Sequence, residues 1–330
     1  MGRMEPHKCR AGIIDSVKLI TAILTTLSLA GFYRSSVSAS PSSHVQCIKQ
    51  HSPYTGTFCS PGIGGRRPAI ITLGGSEGGD GTSNIASSFA KAGYVASSVV
   101  YFGERGLPSK LEHVPIEPVR QALDYLAKRD DVNPDQIAVF GISRGGELAM
   151  LSATLFPQIS AVVSVVGSPV GWGDAIDGEH GAWTFHGKDV PFVSTSQAWT
   201  SSKHTERFGN PTMLRKQLVR KAFFKLEKAH GPMLVIGAGR DELWDSASMA
   251  TAAKKYMQSH SSCFSLTAVI YPKAGHLFWL STDPVLQPSA TTDVGNDPVV
   301  KDYVEASQDA WRRIFTFLGK VRPTRLTEVC

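Results

Sequence analysis

Short apolar runs alternate with amphipathic stretches along most of the chain after residue 66. The apolar runs predict buried strands at 69–73, 94–101, 137–140, 161–166, 233–236 and 266–270. Apolar residues at helical spacing predict helices over 82–92, 115–129, 145–156, 246–258 and 299–318. Continuous apolar strands that alternate with helices are typical of a parallel sheet with helices on both faces. The pattern therefore predicts one α/β domain over residues 66–320, with a mostly parallel sheet.

This alternation is interrupted between residues 171 and 230, where the pattern predicts no clean strand. Three of the six tryptophans lie here, in a group of large aromatic residues: Trp172, Trp183, Phe185, Phe192, Trp199, Phe208, Phe223 and Phe224. An insertion of this length inside a compact domain is usually a functional lid, and its aromatic residues would suit the wall of an apolar pocket. The alternative is that the rings pack the insertion onto the sheet, and both interpretations stay open.

The first 39 residues have the pattern of a targeting segment. A basic stretch ends at Lys18, the apolar run 19–32 follows, and Val-Ser-Ala at 37–39 matches the small-x-small rule for a cleavage site. The run is shorter than the roughly 20 residues that span a bilayer. We predict a signal peptide and export to the periplasm or the medium, with an uncleaved membrane anchor or an apolar leader as alternatives. Residues 40–65 predict an extended lead-in, and residues 321–330 a C-terminal tail.

Charge and cysteine content narrow the possible partners. The formal net charge is +6, but the first 39 residues hold five of the 34 Lys and Arg and only two of the 28 acidic residues. No Lys/Arg run follows, so the charge pattern does not favour a nucleic-acid partner.

Cys47 and Cys59 flank a short loop that a disulfide could close, but sequence does not determine the pairing of these two with Cys263 and Cys330. Cys and His lack zinc-motif spacing, so we predict no metal and no other cofactor.

The pentapeptide Gly-x-Ser-x-Gly marks a sharp strand-to-helix turn that lifts a nucleophilic serine above a sheet. It occurs twice, at 74–78 and at 141–145, and both copies follow an apolar strand and precede a helix. Order along the chain separates them, because in α/β hydrolases a glycine-rich oxyanion loop precedes the nucleophile and the acid and base follow it. The second copy is therefore predicted to carry the nucleophile, Ser143, and the first to form the oxyanion loop.

The acid and the base are expected on the loops after the next two strands. Asp241 leaves one of these strands, with Glu242 and Asp245 as rival carboxylates, and His276 leaves the following strand. A serine hydroxyl is too weakly acidic to attack an acyl carbon unaided, so His276 is predicted to act as its general base. Asp241 is predicted to orient the imidazole and to stabilise its charged form.

Main-chain N–H groups are predicted to bind the oxyanion of the tetrahedral intermediate. One belongs to Arg144, the residue after the nucleophile, and a second to Ser76 or Glu77 in the glycine-rich loop. The positive end of the helix that begins at Gly145 would add to this stabilisation.

From about Pro68 the chain resembles the catalytic domain shared by acyl-CoA thioester hydrolases and bile acid-CoA:amino acid N-acyltransferases. The matching segments are ITLGGSEGG (71–79), AGYVASSVVYFGERGLP (92–108), IAVFGISRGGELAML (137–151), GPMLVIGAGRDELW (231–244) and YPKAGHL (271–277). The resemblance implies an α/β-hydrolase fold and places the family's catalytic triad on Ser143, Asp241 and His276. The acyltransferase branch has cysteine at the nucleophile, so a serine there favours hydrolysis.

Two features depart from the family pattern. Longer members carry a β-sandwich domain before the catalytic one, whereas here only residues 40–65 separate the predicted cleavage site from the α/β domain. Acyl-CoA substrates belong to the cytosol or organelles, whereas the first 39 residues predict export.

Three hypotheses about function follow. The first is a serine-dependent acyl hydrolase of the acyl-CoA thioesterase type, acting through an acyl-enzyme on a small-molecule acyl thioester or ester. The second is an exported carboxylesterase or dienelactone-hydrolase-like enzyme that acts on oxygen esters. The third is a non-catalytic binding module on a hydrolase fold, since fold alone does not establish function.

Overall fold

The computed structural model describes residues 45–174, 178–194, 217–280 and 298–321. The strands in these residues are β1 (Gln46–Gln50), β2 (Gly56–Ser60), β3 (Arg67–Leu73), β4 (Val95–Val99), β5 (Val114–Pro115), β6 (Val132–Ile142), β7 (Ile159–Val165), β8 (Trp183–Phe185), β9 (Lys188–Asp189), β10 (Met233–Ala238) and β11 (Leu266–Tyr271). The α-helices are α1 (Ser83–Lys91), α2 (Glu117–Ala127), α3 (Arg144–Leu155), α4 (Gln217–Ala222), α5 (Ser246–Ser259) and α6 (Pro298–Leu318). Short 3-10 helices span Leu226–Lys228 and Phe278–Leu280.

Eight strands form the main sheet in the order β1-β2-β4-β3-β6-β7-β10-β11. Pairing is parallel from β4 across to β11, and antiparallel between β1 and β2 and between β2 and β4. The chain runs from β3 to β4 on one side and then returns to β6 on the other side of β3. Loops diverge at such a switch point and open a crevice at the carboxyl ends of the strands. The loops that leave β3 and β6 therefore border this crevice.

Helices cover both faces of the sheet. Helices α2, α3 and α5 contribute buried residues to the core on one face, and α1 and α6 to the core on the other. The second core contains a cluster of rings in which Phe89 of α1 lies 5.5 Å from Phe140 of β6, and Trp311 of α6 stacks on Phe140 at 5.5 Å. This arrangement confirms the predicted α/β class with a mostly parallel sheet.

The main sheet contains two strands that the sequence does not predict, β1 and β2, and one strand, β6, that is longer than predicted. Residues assigned to an extended lead-in form the β1–β2 hairpin, in which Cys47 and Cys59 are opposite each other and joined by a disulfide. Residues 132–136 also belong to β6, which therefore begins five positions before its predicted start. Apolar periodicity misses both segments because β1 is mostly exposed and residues 132–136 include Asn, Pro and Asp.

The insertion 171–230, where the pattern predicts no clean strand, contains the two short strands β8 and β9. Within this insertion β8 and β9 pair with each other, and β8 also pairs with β5, so the three form a second, small sheet. Each of these strands has only two or three residues, which is too short to show a period of two. Trp199 and Phe208 of the insertion lie outside the described residues.

Among the described residues, no helix has both the length and the apolar character needed to cross a membrane. The predicted targeting segment at 1–39 lies outside the described residues, and so does residue 322 onward in the predicted tail.

Candidate active site

Ser143 occupies the sharp turn between β6 and α3, with a positive φ of 55° and a ψ of −121°. L-residues rarely adopt this backbone conformation, and it persists where the surrounding structure holds it. A Cβ on Gly141 would overlap the carbonyl of Gly145, and a Cβ on Gly145 would overlap the carbonyl of Gly74. The Ser143 N–H donates to the carbonyl of Val165 at 2.9 Å. Close backbone packing therefore requires both flanking glycines and fixes the serine at the start of α3.

His276, on the loop after β11, connects Ser143 to Asp241. Its Nε2 lies 2.9 Å from Ser143 Oγ, and its Nδ1 lies 2.9 Å from both carboxylate oxygens of Asp241. The imidazole and the carboxylate are both buried. A neutral imidazole whose Nδ1–H donates to a carboxylate presents its Nε2 lone pair to the serine hydroxyl. Loops after β6, β10 and β11 thus form a continuous line of hydrogen bonds.

The Asp241 carboxylate is held by its own loop and by the first residue of α5. Its Oδ1 accepts the N–H groups of Leu243 at 3.0 Å and Trp244 at 3.1 Å. Its Oδ2 accepts the hydroxyl of Ser246 at 2.5 Å. Together with the imidazole, these donors fix the orientation of the carboxylate.

The two rival carboxylates make other contacts. Glu242 Oε2 accepts the main-chain N–H of His276 at 3.1 Å, and Asp245 caps α5 by accepting the N–H of Ser248 at 3.0 Å. The structure therefore brings Asp241, and neither rival, to the imidazole Nδ1.

The glycine-rich loop after β3 passes directly beside the serine, because a Cβ on Gly75 would stand 3.3 Å from Ser143 Cβ. The Tyr101 hydroxyl lies 2.5 Å from the carbonyl oxygen of Gly74 and 2.9 Å from that of Gly75, and donates to them. Burial raises the pKa of Tyr101 well above its usual value, with the nearby Glu77 carboxylate as a second cause, so the hydroxyl remains a donor. Glu77 Oε1 accepts the Gly75 N–H at 2.9 Å, while Ser76 is exposed.

A buried ionic network connects α3 to the insertion. Arg144 and Glu147 form an ion pair at 2.8 Å, and the guanidinium also donates to the carbonyls of Trp172 at 3.2 Å and Gly173 at 3.0 Å. Glu147 accepts the Trp172 N–H at 3.1 Å and the Trp183 indole N–H at 2.7 Å. Both tryptophans are fully buried. These two rings thus pack the insertion onto the domain, as one of the two interpretations of its aromatic residues predicts.

We expect this network to give the protein a pH-dependent stability. Burial raises the pKa of Glu147 to about 7, against the opposing effect of Arg144. A carboxyl with a raised pKa in the folded state favours folding fully below its unfolded pKa and loses that contribution as the pH rises through the folded pKa. Between about pH 4.5 and pH 7 the wild type should therefore lose up to about 3 kcal/mol of unfolding free energy relative to Glu147→Gln.

Urea denaturation of both proteins across this pH range measures the difference. If the unfolding free energy of the wild type instead rises with pH relative to that of Glu147→Gln, the ion pair with Arg144 stabilises the charged carboxylate by more than burial destabilises it.

Three residues that position the site were not found from the sequence: Tyr101, Glu147 and Ser246. Tyr101 and Glu147 lie inside segments that carry the family resemblance, and this resemblance is the feature of the sequence that could have pointed to them. Ser246 carried none beyond its place at the start of a predicted helix.

A mostly parallel sheet with a serine at a strand–helix turn, and a carboxylate and a histidine on later loops, defines the α/β-hydrolase fold. A putative dienelactone hydrolase from Klebsiella pneumoniae subsp. pneumoniae shares this fold, with a TM-score of 0.51 and 16% identity over 84% of this chain and 97% of that one. The chain belongs to the BAAT / acyl-CoA thioester hydrolase C-terminal family, which matches residues 114–322. This match confirms the resemblance seen in the motifs.

Two curated relatives are acyl-coenzyme A thioesterases. Human acyl-coenzyme A thioesterase 1 is 26% identical over 273 residues, which cover 80% of this chain and 62% of that protein. Rat mitochondrial acyl-coenzyme A thioesterase 2 is 28% identical over 271 residues, which cover 80% of this chain and 57% of that protein. The chain thus spans about three fifths of the length of these relatives.

Proposed function

We propose that the protein is a serine-dependent acyl hydrolase that forms an acyl-enzyme on Ser143. The observation that carries this proposal is the hydrogen-bonded line from the half-buried Ser143 through the buried His276 to the buried Asp241, with 2.9 Å at each step. His276 Nε2 takes the hydroxyl proton as Oγ attacks the acyl carbonyl carbon, and returns it to the leaving thiol or alcohol as the bond to the leaving group breaks. Asp241 stabilises the imidazolium between these two transfers.

A water molecule completes the cycle in the same geometry. His276 takes one proton from the water as its oxygen attacks the acyl-enzyme carbonyl, and then returns the proton to Ser143 Oγ as the free acid leaves. Serine and imidazole regain their starting protonation states, so the cycle consumes only the substrate and one water.

We assign the oxyanion site to the main-chain N–H of Arg144 and to that of Ser76 or Glu77. Arg144 is the first residue of α3, where N–H groups lack intrahelical partners and the helix end is positive. Tyr101 bonds the Gly75 carbonyl, and in a trans peptide the next N–H points the opposite way. This favours the Ser76 N–H as the second donor. Loss of one such donor costs about 10²–10³ in rate.

Thioesters are the substrate class that we favour. Family membership, the thioesterase relatives and the serine at the nucleophile position support it. Oxygen esters are the second candidate, because the pattern of residues 1–39 favours export, away from the compartments that hold acyl-CoA.

Paired substrates with the same acyl chain, one a CoA thioester and the other a p-nitrophenyl ester, distinguish the two classes. We expect the higher kcat/KM for the thioester, with Ser143→Ala as the background control. Turnover of the oxygen ester without the thioester would transfer the proposal to the second class. No turnover of either ester, together with no labelling of Ser143 by a fluorophosphonate, would leave the non-catalytic binding module.

A further inference from the structure

A second group of chemically active side chains lies outside the active site. Glu112 and His113 precede β5, and His180 precedes β8 in the insertion. One ligand atom from each of the three lies within 4.8 Å of the others. Both histidines are exposed, and Glu112 is half-buried.

The backbone holds the two segments side by side. The His113 N–H donates to the carbonyl of Gly181, and the Val114 N–H to that of Ala182, both at 2.8 Å. His113 also has a positive φ of 48°, which is uncommon outside glycine and persists where the fold holds it. The proximity of the side chains therefore follows from the strand pairing and does not depend on surface rotamers alone.

A fourth side chain orients one of the histidines. Asp189, in β9, has its Oδ1 2.7 Å from His113 Nδ1. Metal-binding histidines usually donate their other ring N–H to a carboxylate or carbonyl, which fixes the tautomer and raises the basicity of the ligating nitrogen. A carboxylate on Nδ1 leaves Nε2 of His113 available as a ligand.

We propose that Glu112, His113 and His180 form a binding site for a divalent transition-metal ion, and that Zn²⁺ is the ion that fits best. Two imidazoles and one carboxylate are a common zinc ligand set, with a fourth position for water. Zn–ligand bonds of about 2.0–2.1 Å place tetrahedral ligand atoms roughly 3.3 Å apart, which side-chain rotation can reach from the present spacing. Ca²⁺ and Mg²⁺ prefer oxygen ligands throughout, so the two histidines disfavour them.

The site would link the segment before β5 to the insertion. His180 lies three positions before Trp183, whose indole N–H donates to Glu147 in the helix that follows the nucleophile. A bound ion would therefore stabilise the base of the insertion. The sequence predicts no metal site, since its Cys and His lack zinc-motif spacing. Spacing along the chain does not reveal this group, because its ligands come from segments far apart in the chain.

Isothermal titration of the chelator-treated full chain with ZnCl₂ tests this proposal. We expect one ion per chain and a rise in Tm of ~5 °C at a Zn²⁺ concentration one hundred times Kd. His180→Gln should remove the binding and the Tm shift, and Asp189→Asn should weaken binding about 10–100-fold. His113→Asn gives an independent loss, because asparagine tolerates a positive φ.

His186→Asn is the matched control. His186 is an exposed histidine of the same small sheet region, lies 3.8 Å from Glu117 and, like His113, has a positive φ (51°) that asparagine tolerates, so the variant should bind Zn²⁺ as the wild type does. Circular dichroism checks that each variant is folded. Absence of saturable binding would overturn the proposal, and so would binding that survives both His180→Gln and His113→Asn.

Discussion

Replacement of Ser143 by alanine is expected to lower kcat by about 10⁶-fold, with the protein still folded. The variant loses the Oγ that lies 2.9 Å from His276 Nε2, and with it the atom that would carry the acyl group. Alanine is small enough for the turn, and the contacts of Gly141 and Gly145 do not involve the serine side chain. Steady-state turnover of an acyl thioester measures the loss, and intact-protein mass spectrometry after exposure to a fluorophosphonate shows whether a covalent adduct forms.

Ser76→Ala is the matched control, since Ser76 belongs to the other Gly-x-Ser-x-Gly copy. Its side chain is exposed, and the substitution keeps the main-chain N–H that we assign to the oxyanion. We expect reduced but measurable turnover and full labelling of Ser143. A folded Ser76→Ala protein without activity, or an active Ser143→Ala protein, would contradict the roles given to the two copies.

Asp241→Asn is expected to lower kcat by about 10⁴-fold with little change in KM. The carboxylate accepts the imidazole Nδ1–H and so keeps Nε2 free to receive the serine proton. An asparagine can turn its NH₂ toward Nδ1, which then favours the tautomer with the proton on Nε2. That imidazole cannot act as a base toward Ser143.

Glu242→Gln and Asp245→Asn provide the controls for this experiment. A glutamine can still accept the His276 N–H through its amide oxygen, and asparagine is as good a helix N-cap as aspartate. Both variants should keep kcat within about tenfold of the wild type. A loss in either control as large as that in Asp241→Asn would mean that the acid has been assigned to the wrong residue.

The order of motifs along the chain predicts the fold class and family, which are confirmed, because parallel strands bring the loops at their carboxyl ends to one edge. The same rule predicts that Ser143, Asp241 and His276 are neighbours, and the structure brings them within hydrogen-bonding distance. Their catalytic roles stay predictions until the variants are measured.

Residues whose role depends on three-dimensional packing were harder to find. Glu147 occupies the first turn of a helix, where a carboxylate is ordinarily a solvated group that complements the helix dipole. Its burial depends on Trp172 and Trp183 of the insertion, which no local pattern relates to it. Likewise, Tyr101 is an ordinary strand-end aromatic until the fold places its hydroxyl against the Gly74 and Gly75 carbonyls.

The backbone and the side chain of Arg144 connect two different parts of the molecule. Its backbone follows the nucleophile, while its guanidinium binds the carbonyls of Trp172 and Gly173 at the start of the insertion. Chimeras that exchange the insertion between family members must therefore transplant its first residues as a unit that accepts this guanidinium. A graft that omits them would leave this buried guanidinium paired with Glu147 but without its two carbonyl acceptors, directly after Ser143, and we expect such a chimera to lose activity whatever its new insertion binds.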